Sequence, residues 1–213
     1  MESDLSHYRK VYRRGELSME NTLEDPIAQF QKWFEEADRE ALGESNAMTL
    51  STVDERGYPS ARVVLLKRIS PEGFLFFTNY KSRKAGDIES RPRVCLSFFW
   101  HAMERQVRIA GRCHKTSAAV SDSYFSTRPR GSQLSAWVSP QSERIASREV
   151  LEEARSGLQA HFEGRVIPRP PHWGGYLVRP ERIEFWQGRP DRLHDRILYI
   201  AQEGTWQRFR LAP

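Results

Sequence analysis

The chain has 213 residues, 38% hydrophobic and 29% charged, with a formal net charge of +5. That length and composition fit one domain with a sizeable core and exclude a disordered chain. No apolar run approaches the ~20 residues of a membrane-spanning helix, and the start Met1-Glu-Ser-Asp-Leu-Ser6 is too polar for a secretory signal. The two cysteines, Cys95 and Cys113, sit in strand-like runs without Cys or His at zinc spacing. No disulfide framework or metal site is therefore expected, and a reducing cytoplasm fits. The basic excess is mostly arginine, spread along the chain beside aromatic and apolar residues. That distribution favours several phosphate pockets over one nucleic-acid face.

In chain order, residues 1–20 are charged and read as a mobile segment, with residues 21–213 as a single domain. The tract His7–Arg14 permits a short amphipathic helix, with Arg9 and Tyr12 one i, i+3 step apart, able to close as a lid. Asp25-Pro26 predicts a helix start, Asp as N-cap and Pro in the first turn. Ile27, Phe30, Phe34, Ala37 and Ala41 give it one apolar stripe. From Asn46 the period changes to two. Strands are predicted over Met48–Val53, Ala61–Ile69 and Phe74–Asn79, as a meander joined by the turns 54–57 and 70–73. Arg62 and Lys67 bracket a buried run and, at odd spacing, face opposite sides of a regular strand. Ser82 is a plausible N-cap for a short helix whose first turn carries Arg83 and Lys84. Cations there oppose the helix dipole unless an anion binds.

Two further strands are expected over Arg93–Trp100 and Arg105–Cys113, with Gln106 opposite the apolar pair Val107 and Ile109. A helix from Thr116 to Phe125 follows. Tyr124, Arg128 and Ser132 recur every four residues across Pro129 and Gly131, which break a continuous helix. One arginine fork with two hydroxyls suits a phosphate. Residues 137–142 read as a loop. A helix after Ser147 carries Val150, Leu151, Ala154 and Leu158 as a packing stripe, and residues 168–171 form a stiff loop. Trp173-Gly-Gly opens the strand that leads into Arg182–Arg196. There a strand ends at Gly188 and Pro190, and the chain turns back at Leu193. Trp186, His194 and the arginines 189, 192 and 196 crowd this turn, a combination suited to a planar or anionic ligand. Seven or eight strands with three or four helices predict an α+β fold built on a closed or split antiparallel barrel.

Several of these runs together resemble the pyridoxine/pyridoxamine 5′-phosphate oxidases. The matching residues are Arg62–Lys67, Phe77–Asn79, Ser82–Lys84, Glu104–Gln106, Tyr124–Arg130, Trp137–Ser139, Gln141-Ser142, Trp173–Gly175, Ile183–Gly188, Arg192–Arg196 and Arg210–Pro213. They keep the family's order from about residue 26 to the end. The resemblance implies an FMN-binding split barrel and a homodimer with FMN at the subunit interface. It assigns Arg62, Arg83 and Lys84 to the FMN phosphate, and Val63, Val64, Leu65, Leu66, Phe77 and Thr78 to the flavin. Lys67 stands at the edge of both sites. Gln106, Gln141, Ser142, Trp186 and Arg196 complete the cofactor set, some from the second subunit. Lys67, Tyr124, Arg128 and Ser132 fall to the substrate phosphate. Arg192, Leu193 and His194 flank the pyridine ring, Arg192 and His194 as catalytic residues, and Arg9 and Tyr12 close over it. Departures are small: Phe77 stands where tyrosine is common, and Gly131 where a larger polar residue can occur.

The activity implied is oxidation of pyridoxine or pyridoxamine 5′-phosphate by O2 to pyridoxal 5′-phosphate, releasing H2O2 and, from the amine, ammonia. The partners implied are phosphorylated B6 vitamers and O2, with no nucleic acid and no membrane. The rival on the same fold is another flavin-binding split-barrel protein, a flavin reductase or binding module. Such a protein lacks the clamp Lys67, Tyr124, Arg128 and Ser132.

Overall fold

The computed structural model describes residues 3–7, 10–40 and 43–213. Two compact units emerge from the chain. The first comprises Met1–Thr49, Cys95–Ala110 and Pro180–Pro213, the second Leu50–Val94 and Gly111–Arg179. Nine strands are described: β1 (Ala47–Val53), β2 (Pro59–Leu65), β3 (Arg68–Ser70), β4 (Gly73–Asn79), β5 (Arg93–Trp100), β6 (Arg105–Lys115), β7 (Trp173–Gln187), β8 (Asp195–Gln202) and β9 (Thr205–Leu211). Five α-helices accompany them: α1 (Pro26–Arg39), α2 (Arg83–Ser90), α3 (Ala118–Thr127), α4 (Arg130–Val138) and α5 (Arg148–His161).

The strands are hydrogen-bonded in the order β2-β1-β5-β6-β7-β4-β3, and β8 and β9 continue from β7. The branch lies in β7, 15 residues long. Its first half pairs antiparallel with β4, from Phe74↔Val178 to Asn79↔Trp173. Its second half pairs with β8, from Arg182↔Ile200 to Gln187↔Asp195. Pro180, which has no N–H to give to a ladder, falls in the gap between the two registers.

In the first unit α1 begins as its sequence dictates. The Asp25 side chain accepts from the Ile27 N–H at 2.9 Å, and Pro26 opens the helix. Phe30 packs edge-on to Phe98 with centroids 4.9 Å apart, and Trp33 meets Phe185 at 5.2 Å. In the second unit Phe125, Leu134, Ala136, Ile167 and Trp173 form a core cluster, and Phe76 stacks on Tyr176.

The structure corrects several expectations. The strand expected over Ala61–Ile69 is two strands, because Leu66 turns into the core at 4% exposure and the Lys67 N–H bonds Leu75 O. β2 then pairs with β1, and β3 pairs with β4 at the other end of the strand order, so the meander is interrupted. Residues 10–14 form no helix; the N–H groups of Arg13 and Arg14 bond the Glu104 carboxylate instead. Pro129 caps a further helix, α4, where residues 137–138 were expected in a loop. α5 forms but buries none of its residues, and of its apolar stripe only Leu158 joins the core cluster. Nine strands and five α-helices among the described residues exceed the counts read from the sequence.

Candidate active site

The second unit contains a cavity of about 940 Å³. β2 and the turn after it contribute Arg62, Val63, Val64, Leu65 and Lys67. β4 contributes Phe77, Thr78 and Asn79, the start of α2 Arg83 and Lys84, α3 and α4 with their junction Tyr124, Arg128 and Ser132, and the following loop Gln141 and Ser142. All four residues of the expected phosphate clamp and ten of the expected flavin residues therefore share one cavity. Leu66 does not line it; it is a core residue. Arg62 and Lys67, expected on opposite faces, both line it because regular strand geometry ends at Leu65.

The cationic end is built in layers. Arg62 is held by Thr52 Oγ1 and Ser60 Oγ, both at 2.7 Å, and by Leu50 O at 3.3 Å. Asp87, buried behind it, accepts from Thr52 Oγ1 at 2.6 Å and lies 3.7 Å from the guanidinium. Burial pulls the Arg62 pKa down and Asp87 pulls it back up. The Lys84 ammonium donates to Thr78 Oγ1, Ser82 Oγ and Gln141 Oε1, each at 3.2 Å. Burial first, then the charge of Arg62, lower its pKa to about 8, with Asp87 opposing. Ser82 gives its hydroxyl to Asn79 O and provides no side-chain cap, so α2 starts without one. Arg83 is anchored only loosely, 4.0 Å from Asp54.

The aromatic end is flat. Phe77 lies 4.0 Å from Tyr124 at 14° and 5.4 Å from Trp173 at 8°. Gly175 makes this possible: a Cβ there would stand 2.7 Å from Thr116 Oγ1 and 2.9 Å from the Phe77 ring. The Arg128 guanidinium sits 4.5 Å from the Trp173 centroid. Its Nη1 is buried and has no hydrogen-bond partner, and burial lowers its pKa. A buried guanidinium nitrogen without an acceptor is costly, and an anion would remove that cost.

The remaining expected site residues belong to the first unit. Trp186 and His194 lie 4.7 Å apart, and the Tyr12 ring is 5.8 Å from each. The Arg189 N–H donates to His194 Nδ1 at 3.1 Å, so the neutral ring carries its proton on Nε2. Burial and then Arg192 lower the His194 pKa, against Asp195. Of the three arginines at this turn, Arg189 is spent on Gly15 O and Asp195. Arg196 is spent on Glu184 and Ala212 O. Arg192 is exposed, at φ 62°, and Leu193 is exposed beside it. Gln106 is half-buried on β6. Arg9 lies outside the described residues.

Sequence reasoning missed the support for Arg62, since Thr52 and Asp87 are 35 residues apart and carry no shared pattern. It also missed Trp173 as a stacking wall, although the following Gly-Gly pair signalled a close approach.

Residues 34–160 match the profile of the family described as pyridoxamine 5′-phosphate oxidase, and residues 173–213 match the pyridoxine 5′-phosphate oxidase C-terminal dimerisation region. A pyridoxine/pyridoxamine 5′-phosphate oxidase of Rubrobacter xylanophilus is 56% identical over 99% of this chain and 97% of its own length. The enzyme of that name from Flavobacterium johnsoniae is also 56% identical, over 99% of both chains. The chain belongs to the pyridoxine/pyridoxamine 5′-phosphate oxidase family. Among solved structures, PhzG from Burkholderia lata, in complex with tetrahydrophenazine-1-carboxylic acid, superposes with a TM-score of 0.87. It is 28% identical, and the match covers 91% of this chain and 95% of that one. A pyridoxamine 5′-phosphate oxidase-related, FMN-binding protein of Nostoc punctiforme gives a TM-score of 0.71 at 18% identity, covering 89% and 98%. The fold is thus the family's α+β antiparallel split barrel with peripheral helices. In this oxidase-family chain the dimerisation region spans β7, β8 and β9, and so includes Trp186, Arg192, His194 and Arg196. No described helix is long and apolar enough to cross a membrane.

Proposed function

We propose that this chain oxidises pyridoxine 5′-phosphate or pyridoxamine 5′-phosphate to pyridoxal 5′-phosphate, with FMN as its cofactor and O2 as the terminal acceptor. The observation that carries the reading is the buried, unpartnered Nη1 of Arg128 in a cavity that also holds Lys67, Tyr124 and Ser132. These are the groups a substrate phosphate needs: a guanidinium fork, an ammonium and two hydroxyls.

The donor set fits FMN. Arg62 on β2, with Arg83 and Lys84 at the uncapped start of α2, suits a phosphate dianion, and Val63, Val64 and Leu65 offer apolar side chains and backbone hydrogen-bonding groups to a planar ring. FMN, when bound, supplies the acceptor for the hydride that leaves substrate C4′. The protein binds and orients. Arg128 and Lys67 hold the substrate by its phosphate, which turns a bimolecular encounter into a fixed one. His194 stays neutral because Nδ1 is occupied and burial disfavours the cation, so it offers Nε2–H to the ring. Arg192 steadies charge on the pyridine. Gln106, Trp186 and Arg196 complete the cofactor site, with FMN at the interface of a homodimer, and Arg9 and Tyr12 close over the substrate.

The test is the visible spectrum of the purified protein, followed by anaerobic addition of pyridoxine 5′-phosphate. A flavin spectrum that bleaches on addition and returns with air is the expected result. A flavin spectrum that does not bleach would overturn the oxidase reading in favour of a flavin reductase or binding module.

A further inference from the structure

Glu104 is a buried carboxylate that the reading above does not use. It lies at 4% exposure in the left-handed conformation, φ 56°, at the tip of the β5–β6 connection. Its Oε2 accepts two backbone N–H bonds, from Arg13 at 2.8 Å and Arg14 at 3.0 Å, and Lys10 Nζ stands 3.4 Å from Oε1. Its carbonyl accepts from the Gly188 N–H at 2.7 Å and from Gln187 Nε2 at 3.2 Å. One residue thus fastens the N-terminal segment through its side chain and the β7–β8 turn through its main chain. Burial raises the carboxyl's pKa, but the two backbone bonds and Lys10 outweigh it, so the net direction is down and the group is held ionised.

The fastening has a geometric consequence. Between its anchor points the segment lays Tyr12 edge-on against Trp186, at 88°, and against His194. The fit is close: a Cβ at Gly188 would come within 2.7 Å of the Tyr12 ring. Beyond Arg14, Gly15 O accepts from Arg189 Nη1 at 2.9 Å, and the Leu17 N–H donates to Asp195 at 3.0 Å. Arg189 and Asp195 flank the turn that carries Arg192 and His194, while Arg14 Nη1 also reaches Glu40 at 3.1 Å and Leu17 O accepts from Arg210 at 3.0 Å.

We infer that Glu104 is a positioning residue: its carboxylate docks the N-terminal segment on the β7–β8 turn and so fixes Tyr12 and His194 for the substrate ring. The inference rests on the oxidase reading for its substrate, but the docking itself does not. A carboxylate is suited to the task because charge-assisted bonds to two successive backbone N–H groups fix a chain segment without reference to its side chains.

The test compares Glu104→Ala and Glu104→Gln with the unaltered FMN-loaded protein. Limited trypsin digestion reads cleavage after Lys10, Arg13 and Arg14, and steady-state turnover reads KM and kcat separately. Losing two charge-assisted bonds should make Glu104→Ala cleave about tenfold faster. KM for pyridoxine 5′-phosphate should rise by a similar factor with FMN content unchanged. Glu104→Gln, which keeps an acceptor oxygen, should fall between. Unchanged cleavage in Glu104→Ala would overturn the docking, and faster cleavage with unchanged KM and kcat would overturn the positioning role. If the variants do not fold, amide exchange on the unaltered protein decides. The Arg13 and Arg14 amides should exchange at least about 100-fold more slowly than free peptide, and exchange at the free rate would sink the inference. If no B6 vitamer is oxidised at all, the function proposal fails while the cleavage result still stands or falls by itself.

Discussion

Lys84 illustrates how a single residue's surroundings set a measurable pH dependence. Burial first, and then the charge of Arg62, lower the pKa of its ammonium from 10.5 to about 8. A phosphate bound there favours the charged form. As pH rises through about 8 the free protein loses the proton that the complex must regain, so FMN affinity should weaken, by at most about tenfold per pH unit. Titration of FMN fluorescence between pH 7 and pH 9.5 checks this, and Lys84→Gln should flatten the curve. The free protein's stability moves in the opposite direction. Between about 8 and 10.5 the unfolded chain holds a proton that the folded one has released, so the burial penalty of Lys84 is relieved as pH rises. Arg128 and Arg192 give a second contrast. Arg128→Ala removes a buried fork over Trp173 and should raise KM for the phosphorylated substrate about 10- to 100-fold, with flavin content kept. Arg192→Ala, at an exposed turn position, should lose most of kcat while the protein stays yellow. Steady-state kcat and KM separate the two, and absorbance at the flavin maximum checks that both keep FMN.

At the scale of elements, legibility followed how local the cause was. The start of α1 is written in two adjacent residues, and Asp25→Ala should cost about 1 kcal/mol by removing the bond to the Ile27 N–H; urea unfolding measures it. β5 was read correctly because its burial alternates strictly, from Val94 through Leu96 and Phe98 to Trp100. The break between β2 and β3 was not legible. Arg62–Ile69 is evenly apolar at its centre, and what ends β2 is Leu75, across the β3–β4 hairpin, drawing the Lys67 N–H into another ladder. The same holds within the candidate site. Motif residues on one segment could be read from their chemistry and family resemblance. The Thr52–Asp87–Arg62 network and the Glu104 fastening join segments 10 to 91 residues apart, and no local pattern announces them. α5 shows the converse: a clean apolar stripe overstated its burial, because periodicity reports amphipathicity and not what lies opposite.

For the whole molecule, the decisive question is how cofactor and assembly are coupled. The cavity of the second unit gathers Arg62, Arg83, Lys84, Gln141 and Ser142. Gln106, Trp186 and Arg196, assigned to the same flavin, belong to the first unit, and the last two fall within the dimerisation region. If FMN at the interface draws groups from both subunits, it binds the dimer better than the monomer, and linkage then requires that FMN tighten the dimer by the same factor. Sedimentation velocity across a dilution series, with and without saturating FMN, should show the dimer persisting to lower protein concentration when FMN is present. Dilution of the yellow protein should release FMN over the range in which monomer appears. Arg196→Ala serves as the internal check, because its guanidinium bridges Glu184 on β7 and Ala212 at the chain end. That variant should shift both curves together. A dimer whose dissociation ignores FMN would place the cofactor wholly within one subunit, with no group drawn from the partner.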